Sequence, residues 1–155
     1  MFREMRRKDR KLNLEEIEKI LKENSYGILS VTNTDNGYPY GIPLSYFYMN
    51  NSVYFHSATT GLKNDSILKD NRVCFTVVGK TEILPEKFST KYESVIIYGK
   101  VFELTERDKK EALFGLVKKY SFNFLNEGKI YIDKLEKMTK VYKIEIENIS
   151  GKSRK

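Results

Sequence analysis

Between residues 14 and 24 the apolar positions Leu14, Ile17, Ile20 and Leu21 recur every three to four residues, the spacing of one face of an α-helix. Asn13 precedes them and Glu16 follows three residues later, so a capping box starts a short amphipathic helix that ends near Asn24. From Tyr26 the pattern changes. The run YGILSVTN is β-rich and closes on Asp35-Asn36-Gly37, a strong turn signal, after which PYGIPLSYFYM (39–49) resumes extended character. These two runs predict a hairpin, with Pro39 and Pro43 sending the second strand to an edge or an irregular start. Asn50-Asn51 makes the next turn and SVYFHS (52–57) the next strand. GLKNDSILKDN (61–71) reads as a helix, RVCFTVVG (72–79) as a near-continuous apolar strand, and YESVIIYGKVFEL (92–104) as a long strand with a bulge or bend at Gly99. Residues 80–91 read as a loop between them. Thr105 and Asp108 open a helix carrying Ala112, Leu113, Leu116, Val117 and Tyr120 on one face. Residues 121–140 hold no clear period, with a short helix expected around Asp133–Met138. VYKIEIENI (141–149) alternates, with Val141, Lys143, Glu145 and Glu147 on one face and Tyr142, Ile144 and Ile146 on the other.

Six strands in consecutive hairpins with few helices favour a small antiparallel barrel with helices packed outside over a doubly wound parallel sheet. The 155 residues fit one domain, and 40% hydrophobic residues supply its core. No apolar run approaches the ~20 residues of a membrane span, and no apolar stretch follows the basic N-terminus as in a signal peptide, so a cytoplasmic protein is expected. One cysteine, Cys74, and one histidine, His56, exclude an internal disulfide and a Cys/His metal site. Cys74, within VCFTVV, is expected to be an inert core residue.

The net charge is +7, and its location matters more than its size. Residues 1–11 form a basic arm of net +4 and residues 151–155 a basic tail of net +3, leaving 19 basic and 19 acidic residues between them. A neutral body argues against a groove that neutralises a row of phosphates, so no nucleic-acid partner is expected. The ends read as solvated, partly frayed termini.

The stretch His56-Ser57-Ala58-Thr59-Thr60-Gly61-Leu62-Lys63 carries the chemistry. A strand end runs through small hydroxylated residues into a helix start, where unpaired N–H groups, the glycine and the hydroxyls can converge on an anion. Lys63 in the first helical turn opposes the helix dipole by ~0.3–1 kcal/mol, and a bound phosphate would reverse that sign. The competing reading has Lys63 in water and Thr60 merely capping the helix. Strand alternation leaves either His56 or Ser57 within reach of such an anion.

The ordered set Pro39-Tyr40-Gly41-Ile42-Pro43-Leu44, Tyr54-Phe55-His56-Ser57-Ala58, Gly61-x-Lys63, Phe75, and Ser94-Val95-Ile96 with Gly99 resembles the FMN-binding split-barrel proteins related to pyridoxamine 5'-phosphate oxidase. Within them it is most similar to the Nim-type nitroimidazole-resistance branch. The resemblance runs from the basic arm to Gly151-Lys152. It implies a mainly β fold with α-helices, namely a six-stranded antiparallel split β-barrel of Greek-key type with peripheral helices, as one domain over 1–155. It implies FMN as cofactor, with Ile42, Pro43, Leu44 and Ser45 along the isoalloxazine ring, and His56, Ser57, Thr60, Gly61 and Lys63 near the ribityl phosphate. It also implies a homodimer with flavins at the subunit interface, where Phe75 and Thr76, or Glu93 and Ser94, reach the partner's flavin. The histidine of this motif makes His56 the candidate catalytic residue.

The chain departs from the oxidase proper. His56-Ser57 stands where the oxidase has Tyr-Thr, and Leu62-Lys63 where it has Arg-Lys; there is no Trp and no C-terminal Arg-x-His element, so pyridoxamine phosphate oxidation is not expected. The resemblance implies instead a flavin-dependent oxidoreductase acting on a small electrophilic substrate, nitroaromatics included, reduced by NAD(P)H that docks transiently, since no Gly-x-Gly-x-x-Gly is present. The alternative is a non-catalytic flavin- or phosphate-ligand-binding module.

Overall fold

The computed structural model describes residues 1–155. Helix α1 (Leu14–Glu23) starts as its sequence requires: the Asn13 side chain accepts from the Glu16 N–H and the Glu16 carboxylate accepts from the Asn13 N–H, while Ile17, Ile20 and Leu21 are buried. The strands are β1 (Gly27–Thr32), β2 (Pro39–Leu44), β3 (Phe47–Met49), β4 (Ser52–Ala58), β5 (Arg72–Leu84), β6 (Ser89–Leu104) and β7 (Thr139–Arg154). Helix α2 (Leu62–Lys69) joins β4 to β5, and α3 (Glu106–Tyr120) and α4 (Leu125–Leu135) lie between β6 and β7. No helix is long and apolar enough to cross a membrane.

All seven strands form one antiparallel sheet in the order β2-β1-β5-β6-β7-β4-β3, in which β5-β6-β7 is a meander and β4 returns beside β7 as in a Greek key. The expected six-stranded barrel is thereby corrected in two respects. The run 39–49, which reads as one strand, breaks at Ser45-Tyr46 into β2 and β3, giving the seventh strand. No ladder joins β2 to β3, so the sheet is not closed into a barrel. Laid flat, its outer strands would stand about 29 Å apart at roughly 4.8 Å per step, whereas the three-residue step from Leu44 to Phe47 spans at most about 11 Å. The sheet must curl until its edges meet at this corner. Tyr120 on α3 ties the corner together: its hydroxyl accepts from the Tyr46 N–H (2.9 Å) and lies 2.7 Å from the Ser25 carbonyl and 2.8 Å from the Tyr46 carbonyl.

The concave face holds the main core, in which Leu29, Phe55, Phe75, Val77, Val95, Ile97 and Ile144 are fully buried beneath α1. A second cluster, Phe47, Ala112, Leu113, Leu116, Ile132 and Val141, packs α3 and α4 on the outside. This explains β7, where Val141, assigned by alternation to the polar face, is buried because helices cover that face at its start. The irregularity expected at Gly99 is present, but the extra residue, Glu147, belongs to β7. A side chain at Gly99 would collide with the Glu145 carbonyl oxygen.

Further expectations are corrected. Residues 80–91 are no loop but the far end of the β5–β6 hairpin, turned by a 3-10 segment at Pro85–Lys87; a bulge sets Gly79 and Lys80 opposite Glu93, and cross-strand pairing resumes beyond it. The helix expected near 133–138 begins at Leu125, and Thr105 precedes α3 without a side-chain cap. Cys74 lies on the convex face, half-buried outside the core, and burial raises its thiol pKa. The basic tail is not frayed but forms the end of β7, and the arm joins it where Lys11 bridges Lys152 and the Leu12 N–H donates to the Gly151 carbonyl (3.0 Å), while residues 1–7 carry no regular structure.

Candidate functional site

Strand β4 alternates as expected. Val53, Phe55 and Ser57 face the core, and Tyr54 and His56 face outward toward α3 and α4. Beyond Ala58 the chain turns at Gly61, whose φ of 135° is open to glycine and strained for other residues, and around which no atom lies within 4 Å of a built Cβ. Helix α2 begins there. Its first intrahelical bond runs from the Asp65 N–H to the Gly61 carbonyl (3.0 Å), and no side chain caps it. The N–H groups of Leu62, Lys63 and Asn64 therefore point out of the helix end unused by it.

Of the two residues the pattern left as alternatives, Ser57 is used by the fold and His56 remains on the outer face. Ser57 is buried, and its hydroxyl lies 2.9 Å from both the Ala58 carbonyl and the Asn64 Oδ1. The Asn64 amide in turn donates to the Ala58 carbonyl at 2.6 Å. This knot, absent from the sequence reading, holds the helix start against the strand end; its signal was an asparagine in the first helical turn. Thr60 is exposed and caps nothing. Lys63 is half-buried rather than in water, and burial lowers its pKa. His56 keeps an exposed edge on the outer face, and desolvation by the surrounding chain first and the Lys63 charge second lower its pKa below the ordinary histidine value. The two cation-forming groups thus sit within electrostatic reach of one another beside an uncapped helix start.

His56 and Ser45 also line one side of an open cleft of about 590 Å³, whose opposite wall is α3 and α4 with Leu116, Val117, Tyr120, Phe124 and Tyr131. Leu116, Val117 and Tyr120 stand on the helix face read from the sequence, whereas Phe124 and Tyr131 come from the stretch without a readable period, where the aromatic residues were the only sign. Glu127 is the one carboxylate on the lining.

The other expected site residues lie elsewhere in the chain. On β2, Ile42 and Leu44 pack against the core, while Pro43 is exposed. Phe75 is fully buried against Tyr46, with ring centroids 5.0 Å apart, so its side chain reaches no surface. Thr76 and Ser94 are partly exposed on the convex face, beside Val78, Ile96 and Tyr98 at 53%, 37% and 41% exposure. The Glu93 carboxylate accepts from the Lys80 N–H (3.0 Å) across the bulge. Thr76 on β5 is three strand steps, about 14 Å, from β4, and Ser94 on β6 pairs with Lys152, eleven residues along β7 from the Val141 that faces His56, so this second group is remote from His56.

Such a divided set, on a curled sheet with this strand order, invites comparison with known proteins. A family model described as pyridoxamine 5'-phosphate oxidase matches residues 13–153. The chain belongs to that family. Within the pyridoxamine 5'-phosphate oxidase family fold, it is similar to a candidate 5-nitroimidazole antibiotic resistance protein of Bacteroides thetaiotaomicron: 23% identity, TM-score 0.74, covering 92% of this chain and 86% of that one. A FAD-binding protein of Mesorhizobium loti shares 24% identity with a TM-score of 0.64, over 94% and 98% of the two chains. A FAD- and heme-binding protein of Mycobacterium smegmatis shares 15% identity with a TM-score of 0.81, over 92% and 72%. These identities establish the common fold. No curated protein matches the chain.

Proposed function

We propose that this member of the pyridoxamine 5'-phosphate oxidase family binds a flavin, FMN, and works as an oxidoreductase on small electrophilic molecules. The observation that carries the proposal is the placing of His56 and Lys63 together at an uncapped helix start that adjoins a broad apolar cleft. Both groups are held below their ordinary pKa values, so a phosphate dianion placed there offsets a cost that the empty arrangement carries. Lys63 and the N–H groups of Leu62, Lys63 and Asn64 would hold the phosphate, with Gly61 admitting it close to the backbone. The edge strand, Ile42 to Ser45, would follow the flat ring with main-chain groups that no neighbouring strand uses. A bound flavin supplies two-electron transfer to and from nicotinamides and nitroaromatic acceptors. His56, uncharged at neutral pH, offers a ring nitrogen to a molecule lying in the cleft and can accept or return a proton there.

Thr76 and Ser94 join this reading through a second copy of the chain. They stand too far from His56 to share one ligand within a protomer, and they lie on a convex face whose apolar residues remain exposed. A homodimer apposing these faces would bring them to the partner's flavin and cover Val78, Ile96 and Tyr98. The flavin-binding relatives from Mesorhizobium loti and Mycobacterium smegmatis support the cofactor class.

The test is the visible spectrum of the purified protein, with the ligand released by denaturation and weighed. A two-banded flavin spectrum with released FMN, bleached anaerobically by NADPH and restored by a nitroaromatic acceptor, is expected. A colourless protein that takes up no added FMN refutes the proposal, and a flavin that no nicotinamide reduces reduces the protein to a binding module.

A further inference from the structure

The two basic segments, more than a hundred residues apart in sequence, are brought to one place. Lys11 forms an isolated antiparallel bridge with Lys152, which sets two ammonium-bearing residues directly opposite one another. Like charges so placed repel, and nothing in the backbone demands lysine at either position. Arg10 donates to the Tyr92 hydroxyl at 3.2 Å, the Lys152 ammonium lies 5.6 Å from the same ring, and these two cations lower the Tyr92 pKa. Beside them a cleft of about 360 Å³ is lined by Arg7, Arg10, Lys11, Arg154 and Lys155, with Asp9 and Glu16 as its carboxylates. Asp9 is engaged by Arg7 and Glu16 by Lys155, whereas Arg10, Lys11, Lys152 and Arg154 have no acidic partner. The cleft and the adjoining Lys152 therefore gather six basic side chains against two carboxylates, a local net charge of +4.

We infer that this cleft is a binding site for the closely spaced phosphate groups of a small molecule, a diphosphate. Two arginine forks beside lysines suit phosphate oxygens, and an anion there turns the Lys11–Lys152 repulsion into a shared attraction. The occupant is small: the cleft measures about 360 Å³, and residues 12–150 carry 19 basic against 19 acidic side chains, leaving them no charge excess for the successive phosphates of a nucleic acid. This inference stands apart from the flavin reading, whose phosphate site lies at α2.

The experiment titrates inorganic pyrophosphate into the purified full chain by calorimetry, in chloride buffer, and repeats it with Lys11→Gln and Arg154→Gln. One pyrophosphate per chain is expected, weakened by added salt and about tenfold or more by either substitution. Lys11→Gln is also expected to raise the melting temperature without pyrophosphate and to shrink the rise that pyrophosphate gives. Adenosine diphosphate separates the sources: equal affinity means that the phosphates alone are read, and tighter binding means that a nucleoside contributes. Absence of binding, or binding that neither substitution weakens, overturns the site. A single-stranded oligonucleotide that binds more tightly than pyrophosphate overturns it in favour of nucleic acid. Loss of flavin uptake by both variants in step with pyrophosphate overturns it as a separate site.

Discussion

Replacing Asn64 with alanine removes the link between the strand end and the helix start that frame the candidate phosphate site. The side chain is 7% exposed, accepts from the Ser57 hydroxyl (2.9 Å) and donates to the Ala58 carbonyl (2.6 Å). The Ser57 hydroxyl keeps the Ala58 carbonyl as an alternative acceptor at 2.9 Å, so the substitution strands neither group completely. Two hydrogen bonds at about 1 kcal/mol each then give a loss of about 2 kcal/mol, rather than the larger penalty of orphaned buried groups. For a chain of this size that is a fall of about 4–8 °C in Tm. Thermal unfolding followed by circular dichroism reads the loss, and fluorescence titration with FMN reads its consequence, a weaker affinity because the helix start is no longer pinned. Leu68→Ala, on the same helix at 89% exposure, is the control and should stay within about 0.5 kcal/mol of the parent. An Asn64→Ala protein as stable as the parent, or a Leu68→Ala protein equally destabilised, would refute this account of the knot.

Lys63→Met is expected to raise the His56 pKa, though not to the ordinary value, because burial is the larger cause and remains; as the only histidine, His56 gives one ring signal to follow by proton NMR. Since the fold favours neutral His56, the stability it contributes is present above the unfolded-state value of 6.5 and is lost as pH falls toward the depressed folded value, so Lys63→Met should also flatten the acid limb of a stability–pH curve. Tyr120→Phe takes away the hydroxyl that serves Ser25 and Tyr46 at the corner between the sheet edges, and should cost about 2–3 kcal/mol in urea unfolding; an unchanged midpoint would mean that water replaces it. Gly99→Ala drives a methyl group against the Glu145 carbonyl oxygen in the β6–β7 ladder and should cost about 3 kcal/mol or prevent folding, with soluble yield and Tm as readouts.

The amino-acid sequence determined what short-range chemistry decides. The capping box of α1, the Asn50-Asn51 turn with positive φ at both residues, and the run of strands follow from side chains acting on their own backbone neighbourhood. The helix start that follows residues 56–61 was legible for the same reason: a strand end running through a glycine into a helix with a lysine in its first turn is a local arrangement. Only the tertiary structure decided the rest. The break at Ser45-Tyr46 exists because a curled sheet needs a corner there, which α3 holds from 74 residues away through Tyr120. Ser57 left the site and Asn64 entered it because burial, not residue type, settled which polar group was consumed by the fold. The α4 half of the cleft wall came from a stretch without periodicity, whose helix is stabilised by packing in the cluster with Val141 and Phe47 rather than by its own pattern. The basic ends, harmless tails when read separately, became one charged cleft because β7 runs on to Arg154 alongside the arm, a long-range pairing that no local signal encodes.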